Sequence, residues 1–267
     1  GFNEILPDGI PYIHNIVVQG PTGNEKDYFC YQLIKSSLIR GDAVLVVLSR
    51  IGPAEFRNIM KNLGVTIDKF EKGNLLKIID WYSYKHERII EIEEKEGVIK
   101  CAKALTNVEI ALSKAIRAMP KTNMPLAYID VLSPALSMFD AERVYKFGSN
   151  LRAKLRKEGL TGLFAVEKEM HAPQVLSSLH GIFDGVIDFE SVREEDKVVS
   201  KVGIISMSGV KFSREYKEIT FDPSKGISIK RAEPMVPIGE QEGAVKKEFK
   251  LGLNYLIYEE KTDKTFT

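Results

Sequence analysis

Residues 20–27 constrain the fold of this chain more than any other segment. They read G-P-T-G-N-E-K-D, which keeps Gly20 and Lys26 at the spacing of a phosphate-binding loop, G-x-x-x-x-G-K-[ST]. An apolar run at residues 15–19 predicts a buried strand before the loop, and residues 28–38 predict a helix after it. Strand, loop and helix therefore follow one another in the order that such a loop requires.

The loop departs from the working pattern on both sides of its lysine. Glu25 replaces the glycine that lets the backbone curl around phosphates, and Asp27 replaces the hydroxyl that holds magnesium. Two like charges about 4 Å apart repel by roughly 4 kcal/mol at an effective dielectric constant of 20, so each acid opposes a bound phosphate. For a motif this short, a glycine-rich turn without any phosphate ligand remains an alternative.

Composition agrees with one α/β domain. The chain has 267 residues, of which 44% are hydrophobic, and it carries 38 basic and 37 acidic side chains. This balance gives no general attraction to nucleic acid or acidic membranes. No run approaches the roughly 20 apolar residues of a membrane span, and no signal peptide is recognised, so we expect a cytoplasmic protein without membrane contact. Cys30 and Cys101 are expected to be reduced packing residues.

Predicted strands and helices alternate over most of the chain. Residues 43–48 and 75–79 favour buried parallel strands, residues 53–63 a helix between them, and residues 88–102 a hairpin insertion. A capping box at residues 106–109 and the N-cap residue Asp140 predict the starts of two further helices, the second of which ends at Gly159. The remaining strands are predicted at residues 126–132, 160–166, 185–189, 198–207 and 216–221.

The strand predicted at residues 126–132 presents Asp130, an acid that would orient a magnesium shell beside the phosphate loop. Together with the loop, this strand resembles those of the RecA-superfamily ATPases, and within them the KaiC-like and RadA-like archaeal branch. Further matching segments are I-L-P-D-G-I-P at 5–11, I-D-V-L-S-P at 129–134 and D-G-V-I at 184–187. The resemblance implies a RecA-like P-loop NTPase fold, with a mostly parallel central sheet flanked by helices and an antiparallel C-terminal extension.

The same resemblance divides the chain into a core domain at residues 1–230 and a C-terminal extension at residues 231–267. It implies a vestigial phosphate and magnesium site, made of Gly20, Gly23, Lys26 and Asp130. Because a buried lysine needs a charged partner, we expect Lys26 to pair with Asp130, and with Asp27 or Glu25 as alternatives.

Two segments lack the catalytic residues that the resemblance implies. The family has a glutamate pair after its second core strand, where this chain reads S-R-I-G-P at residues 49–53. The family's K-M-R-G segment, which senses phosphate across a subunit boundary, corresponds to S-M-S-G at 206–209. We therefore predict a non-catalytic binding or regulatory module with a degenerate ATP site, without cofactor or metal. The alternative is a weak ATPase that binds ATP and magnesium with displaced catalytic residues.

Other candidate residues give weaker signals. The four histidines, His14, His86, His171 and His180, are scattered and do not have metal-ligand spacing. Glu167, Lys168 and Glu169 follow a predicted strand, so they either line a pocket at the sheet edge or form a solvated charge run. Ser49 and Ser133 have no histidine partner that the sequence identifies, which argues against a hydrolase triad.

For partners, we expect a protein or peptide. Nucleic acid is a further possibility, through a basic surface made of Lys35, Arg40, Lys154, Arg156 and Lys157. In the tail, residues 249–257 alternate in the manner of a strand. That strand would either fold back on its own sheet or pair with another chain, most simply in a twofold dimer.

Overall fold

The apolar runs of the sequence form the strands of one sheet. The computed structural model describes residues 2–23, 25–83, 92–95, 97–102 and 104–230. The strands are β1 (Asn15–Gly20), β2 (Val44–Leu48), β3 (Leu76–Asp80), β4 (Glu93–Lys95), β5 (Val98–Lys100), β6 (Leu126–Ile129), β7 (Thr161–Glu167), β8 (Gly185–Glu194), β9 (Lys197–Met207), β10 (Lys217–Asp222) and β11 (Gly226–Ile229). The helices are α1 (Glu25–Arg40), α2 (Pro53–Asn62), α3 (Asp68–Lys72), α4 (Leu105–Ala118), α5 (Leu132–Met138), α6 (Ala141–Lys157) and α7 (Pro173–His180).

The centre of the sheet is parallel. Within the described residues the strand order is β11-β10-β9-β8-β1-β7-β6-β2-β3-β5-β4. The seven strands from β8 to β5 in this order pair in parallel, whereas β4 and β9 to β11 pair antiparallel. The predicted fold class is confirmed, including the antiparallel C-terminal strands.

Helices cover both faces of the parallel strands. One apolar cluster joins α1, α2 and α3 to one face, and a second joins α4 to α7 to the other. Every residue of β2 is buried, as a parallel strand covered on both faces requires. This arrangement leaves the ends of the parallel strands as the place where polar side chains meet.

Several local predictions are correct. Asp140 accepts a hydrogen bond from the backbone N–H of Arg143 and caps α6. Gly159, with φ of +75°, follows the end of that helix, where only a residue without Cβ adopts this backbone geometry readily. The parts of the predicted hairpin that are described, β4 and β5, pair antiparallel, and β5 also pairs in parallel with β3.

Other local predictions are wrong. The apolar run at residues 126–132 contains a four-residue strand followed by the start of α5, because periodicity does not separate a buried strand from a buried helix end. The capping box at 106–109 is also wrong: α4 begins at Leu105, and its N-cap position, Ala104, has no side-chain hydrogen bond. Helices α3 and α7 and strand β11 were not predicted.

The division into a core at residues 1–230 and an extension at 231–267 stays a prediction, since the extension lies outside the described residues. The same holds for the tail strand at 249–257, for His86 and for the first part of the predicted hairpin. Of the helices described, none is long and apolar enough to span a bilayer.

Candidate functional site

The order of the parallel strands brings four chain segments together at one edge of the sheet. β1 lies beside β7, β7 beside β6, and β6 beside β2. Their carboxyl ends carry Gly20, Glu167, Asp130 and Arg50, the last two directly after β6 and two residues after β2. Ligand sites of open α/β sheets lie at this edge. The sequence prediction that Lys26 and Asp130 belong to one site therefore has a structural basis.

Lys26 is buried and its charge is already paired. Its side chain is 1% exposed, and Nζ lies 3.0 Å from Glu167 Oε1 and 3.4 Å from Asp27 Oδ2. Nζ also donates to the carbonyl oxygens of Pro21 and Gly23, at 3.4 and 3.5 Å. Asp27 is thus confirmed as a partner, whereas the expected partner Asp130 is wrong and Glu167 takes that place. The contacts of the Lys26 ammonium group with the loop carbonyls hold the loop closed around its own lysine.

The second acid of the loop points elsewhere. Glu25 Oε1 accepts a hydrogen bond from Ser200 Oγ at 3.1 Å, so it contacts β9 instead of Lys26. Gly20 meets the neighbouring strand directly, because a Cβ added to it would lie 2.8 Å from Phe189 Cβ. The hairpin of β8 and β9 therefore packs against the loop from outside the ion-paired cluster.

Arg50 is the centre of the site, and sequence reasoning missed it. Its Nη2 lies 2.6 Å from Asp27 Oδ1, its Nε lies 2.6 Å from Asp130 Oδ1, and its Nη1 pairs with Glu167 Oε1. Tyr128 OH adds a hydrogen bond to Asp27 Oδ1 at 3.0 Å. A planar guanidinium presents five donors in a fixed fork, which suits simultaneous contact with several carboxylates. Asp130 therefore pairs with Arg50, not with Lys26.

The cluster contains two cations, Lys26 and Arg50, and three acids, Asp27, Asp130 and Glu167. Burial alone would raise the pKa of Asp27, but Arg50 and then Lys26 outweigh it and hold that pKa below its ordinary value. Burial also raises the pKa of Asp130, here to about 7, because Asp27 and Glu167 add to it and Arg50 offsets only part. The acids raise the pKa of Arg50 despite its burial. Both cations of the site are thus neutralised by the protein itself.

A serine and a histidine position Glu167. Ser133 Oγ accepts a hydrogen bond from the Glu167 backbone N–H at 2.9 Å and lies 2.9 Å from His171 Nε2. Ser133 therefore has a histidine partner, His171, that the sequence did not identify. Ser133 is nevertheless fully buried, and Ser49 Oγ donates to the Asp130 carbonyl. Neither hydroxyl is accessible to a substrate, so both are part of the support for the cluster.

A second polar network lies next to the cluster, around Asp188. Gln19 Nε2 donates to Asp188 Oδ1 at 2.8 Å, Tyr216 OH donates to Oδ2 at 2.8 Å, and Lys168 Nζ lies 3.0 Å from Oδ1. His180 Nε2 lies 2.7 Å from Gln19 Oε1, and its burial lowers the pKa of its imidazole. Lys168 is therefore paired, and Glu169 is in the exposed turn that follows.

The space beside the loop is small. A depression of about 10 Å³ lies between the loop and the β8–β9 hairpin. It is lined by Pro21, Glu25, Lys26, Phe189, Glu190, Ser191 and Ser200. Pockets for small molecules usually measure roughly 300 to 1,000 Å³. Two of the lining residues are acids, and the one cation among them is paired. No group of three or more side chains suited to a metal occurs in the described ranges.

Comparison with known proteins identifies the fold family. A family model described as the KaiC ATPase matches residues 1–234. The chain belongs to the KaiC-like ATPase family. A UPF0273 protein from Thermotoga maritima is 26% identical over 240 residues, which cover 86% of this chain and 92% of that protein. A KaiC-like protein from the hyperthermophilic archaeon Pyrococcus horikoshii superposes with a TM-score of 0.68 at 20% identity, covering 86% of this chain and 95% of the other.

The S-M-S-G segment of this KaiC-like chain lies far from the cluster. β9 runs antiparallel to β8 and ends at Met207, opposite the first residue of β8. The segment therefore lies at the amino ends of the parallel strands, whereas the cluster lies at their carboxyl ends. There the Ser208 carbonyl oxygen lies 3.0 Å from His14 Nε2. A segment at this position cannot reach the cluster of its own chain.

The basic residues predicted as a nucleic-acid surface do not form one. Lys35 and Arg40 belong to α1, whereas Lys154, Arg156 and Lys157 belong to α6, and these two helices cover opposite faces of the sheet. Arg40 also pairs with Asp42 at 2.6 Å, and Arg156 Nη1 lies 3.5 Å from Asp184 Oδ1. Helical packing on both sides of the sheet separates the charges that the sequence suggested as one patch.

Proposed function

We propose that this KaiC-like protein is a non-catalytic binding or regulatory module whose phosphate loop is filled by its own ion pairs. The observation that carries the proposal is the position of Arg50. Its guanidinium lies between Asp27 and Asp130, at 2.6 Å from each. By the resemblance to working family members, these are the positions that would hold magnesium. A resident cation thus takes the place of the metal.

Electrostatics explain why a nucleotide would bind poorly. Phosphate oxygens would have to replace Glu167 and Asp27 as partners of Lys26. The three buried acids of the cluster would then share the single charge of Arg50 and would lie close to the phosphate charges. An uncompensated buried charge costs several kcal/mol. Each roughly 1.4 kcal/mol lowers affinity tenfold. We therefore expect the loss of one cation by two buried acids to remove most of the affinity that a phosphate loop normally provides.

The position that the resemblance assigns to the catalytic base also carries no acid. After β2 the chain presents Arg50, a cation, where the resemblance implies an acid. A further acid, Asp80 at the end of β3, accepts hydrogen bonds from the backbone N–H groups of Tyr82 and Ser83, both at 3.0 Å, and from the Ser83 hydroxyl. Its lone pairs are thereby used in its own turn, which leaves little capacity to activate a water.

A calorimetric titration of the full chain with magnesium and ATP tests this proposal. We expect no binding heat and no release of phosphate. The second candidate function, a weak ATPase, is favoured by membership of the KaiC-like ATPase family. Micromolar binding together with turnover would support that candidate and contradict the proposal.

A protein or peptide partner fits a module without a nucleotide, and a homodimer is the simplest assembly. Nucleic-acid binding has weaker support, because the suggested basic residues are on opposite faces. Both cysteines are buried and free, which supports a reducing compartment, and we propose the cytoplasm. A pull-down from lysate, compared with a charge-matched control protein, would test for a partner.

A further inference from the structure

Gln32 covers the backbone of the last strand of the sheet. β11 pairs with β10 only, among the strands described. The Lys230 N–H donates to the Glu218 carbonyl, and the alternation of an antiparallel ladder then directs the backbone groups of Ile227 away from β10. Such an open row of N–H and C=O groups is a template for another strand.

The side chain of Gln32, on α1, makes both contacts that an added strand would make with Ile227. Its Oε1 accepts from the Ile227 N–H at 2.9 Å, and its Nε2 lies 3.3 Å from the Ile227 carbonyl oxygen. A third contact joins Nε2 to the Lys225 carbonyl oxygen at 3.4 Å. A side-chain amide has the same donor and acceptor as a peptide group, so Gln32 occupies the position of a neighbouring strand.

The strand is shaped to admit this amide. Gly226, with φ of +80°, precedes Ile227, and a Cβ at that position would lie 2.5 Å from Gln32 Cδ. Any other residue would strain the backbone and push the glutamine away. Tyr28 of α1 also contacts Phe221 of β10, with ring centroids 4.8 Å apart in an edge-on arrangement. Helix α1 and the sheet edge are therefore held together by this aromatic contact as well as by the amide of Gln32.

We propose that Gln32 keeps the β11 edge from pairing with a second copy of this chain. The spacing of the outward backbone groups lets a second copy match this edge symmetrically. Ile227 and Ile229 are two residues apart and both direct their backbone groups outward. Two β11 strands can therefore align antiparallel about a twofold axis, with Ile227 of one opposite Ile229 of the other. Gln32 must leave Ile227 before this ladder can form.

The test compares the full-length protein with Gln32→Ala and Gln32→Leu. The leucine variant fills the volume of the glutamine without its hydrogen bonds, which keeps the test decisive if the alanine variant folds poorly. Hydrogen exchange at the Ile227 amide and mass by light scattering over a concentration series are the readouts. Gln174→Ala, which changes an exposed glutamine on α7, is the matched control.

We expect the Ile227 amide to exchange about fivefold faster in both Gln32 variants, the factor for one lost hydrogen bond. We also expect their weight-average mass to rise with concentration, while the control behaves as the wild type. Adding Ser228→Lys to the Gln32 variant should restore the lower mass, since an edge lysine opposes strand pairing.

Three results would overturn the proposal. Unchanged exchange at Ile227 would show that Gln32 does not protect it. Faster exchange without any rise in mass would show that the uncovered edge does not pair with a second copy. Association that persists after Ser228→Lys would place the contact on another surface.

Discussion

Replacing Arg50 with methionine tests whether the cluster depends on its central cation. Arg50 contacts Asp27, Asp130 and Glu167, whose side chains are 9%, 2% and 3% exposed. Methionine keeps much of the side-chain length and removes the charge. Lys26 would then be the remaining cation of the cluster, facing two of the three acids at 3.0 and 3.4 Å.

The size of the effect follows from two opposing contributions. Each Arg50–carboxylate contact is worth roughly 4 kcal/mol at an effective dielectric constant of 20. Most of that sum is offset by the desolvation that burial of the ion pairs requires, so removal of one partner of a buried pair costs about 3 to 5 kcal/mol. Protonation of Asp130, whose pKa is already raised by its burial, limits the loss toward the lower end of this range.

Urea denaturation at pH 8 measures the change in the free energy of unfolding. Arg57→Met is the matched control, because Arg57 pairs with Glu71 at 3.1 Å and is 30% exposed, close to the 25% of Arg50. We expect the control to lose less than about 1 kcal/mol. We also expect the loss in Arg50→Met to shrink at pH 5, where the orphaned acids protonate. Equal losses in the two variants, independent of pH, would refute the reasoning.

Three further predictions address the loop, the titration of Asp130 and the tail. Glu25→Gly combined with Asp27→Thr should give measurable ATP binding but little hydrolysis, because Arg50 still supplies no base; rapid turnover in that variant would place a base elsewhere. Because burial raises the pKa of Asp130 to about 7, the proton is favoured in the folded state. The stability from this group is therefore present below pH 4 and is lost as pH rises toward 7. Asp130→Asn should flatten the denaturation profile by on the order of 1 kcal/mol per pH unit between pH 5 and 7, and parallel profiles would contradict the pKa. Truncation after Arg231 should lower the mass in solution if the tail mediates self-association, whereas equal monomeric masses would eliminate that role.

The parts of the fold that could be predicted are those where one local signal dominates. The apolar run of β2 is short and rich in β-branched valine, which favours a buried strand over a helix. Asp140 before an amphipathic helix gives a clear N-cap. The prediction for residues 126–132 failed because apolar residues continue from the strand into the start of the helix, interrupted only by Asp130. β11 has four residues, two of them buried and two half-buried, and a hydrophobic pattern this short carries little information.

The site was only partly predictable, for a reason that concerns topology. A buried lysine needs a carboxylate partner, and this local requirement predicted the contact of Lys26 with Asp27. The choice of Glu167 over Asp130 depends on β7 lying beside β1, and the sequence does not contain that strand order in readable form. In the sequence, Arg50 was considered only as a replacement for the acid that the family has after its second core strand. Its own charge, next to three acids predicted or considered for this edge, was the signal that could have identified it.

The central claim is that Lys26 of the phosphate loop and the neighbouring Arg50 are bound by carboxylates of the protein. A crystal structure grown with an excess of magnesium and a non-hydrolysable ATP analogue tests it most directly. We predict that Lys26 stays paired with Glu167 and Arg50 with Asp27 and Asp130, with no nucleotide in the loop. A structure in which Lys26 turns to a bound phosphate, with Arg50 displaced from Asp130, would contradict the claim.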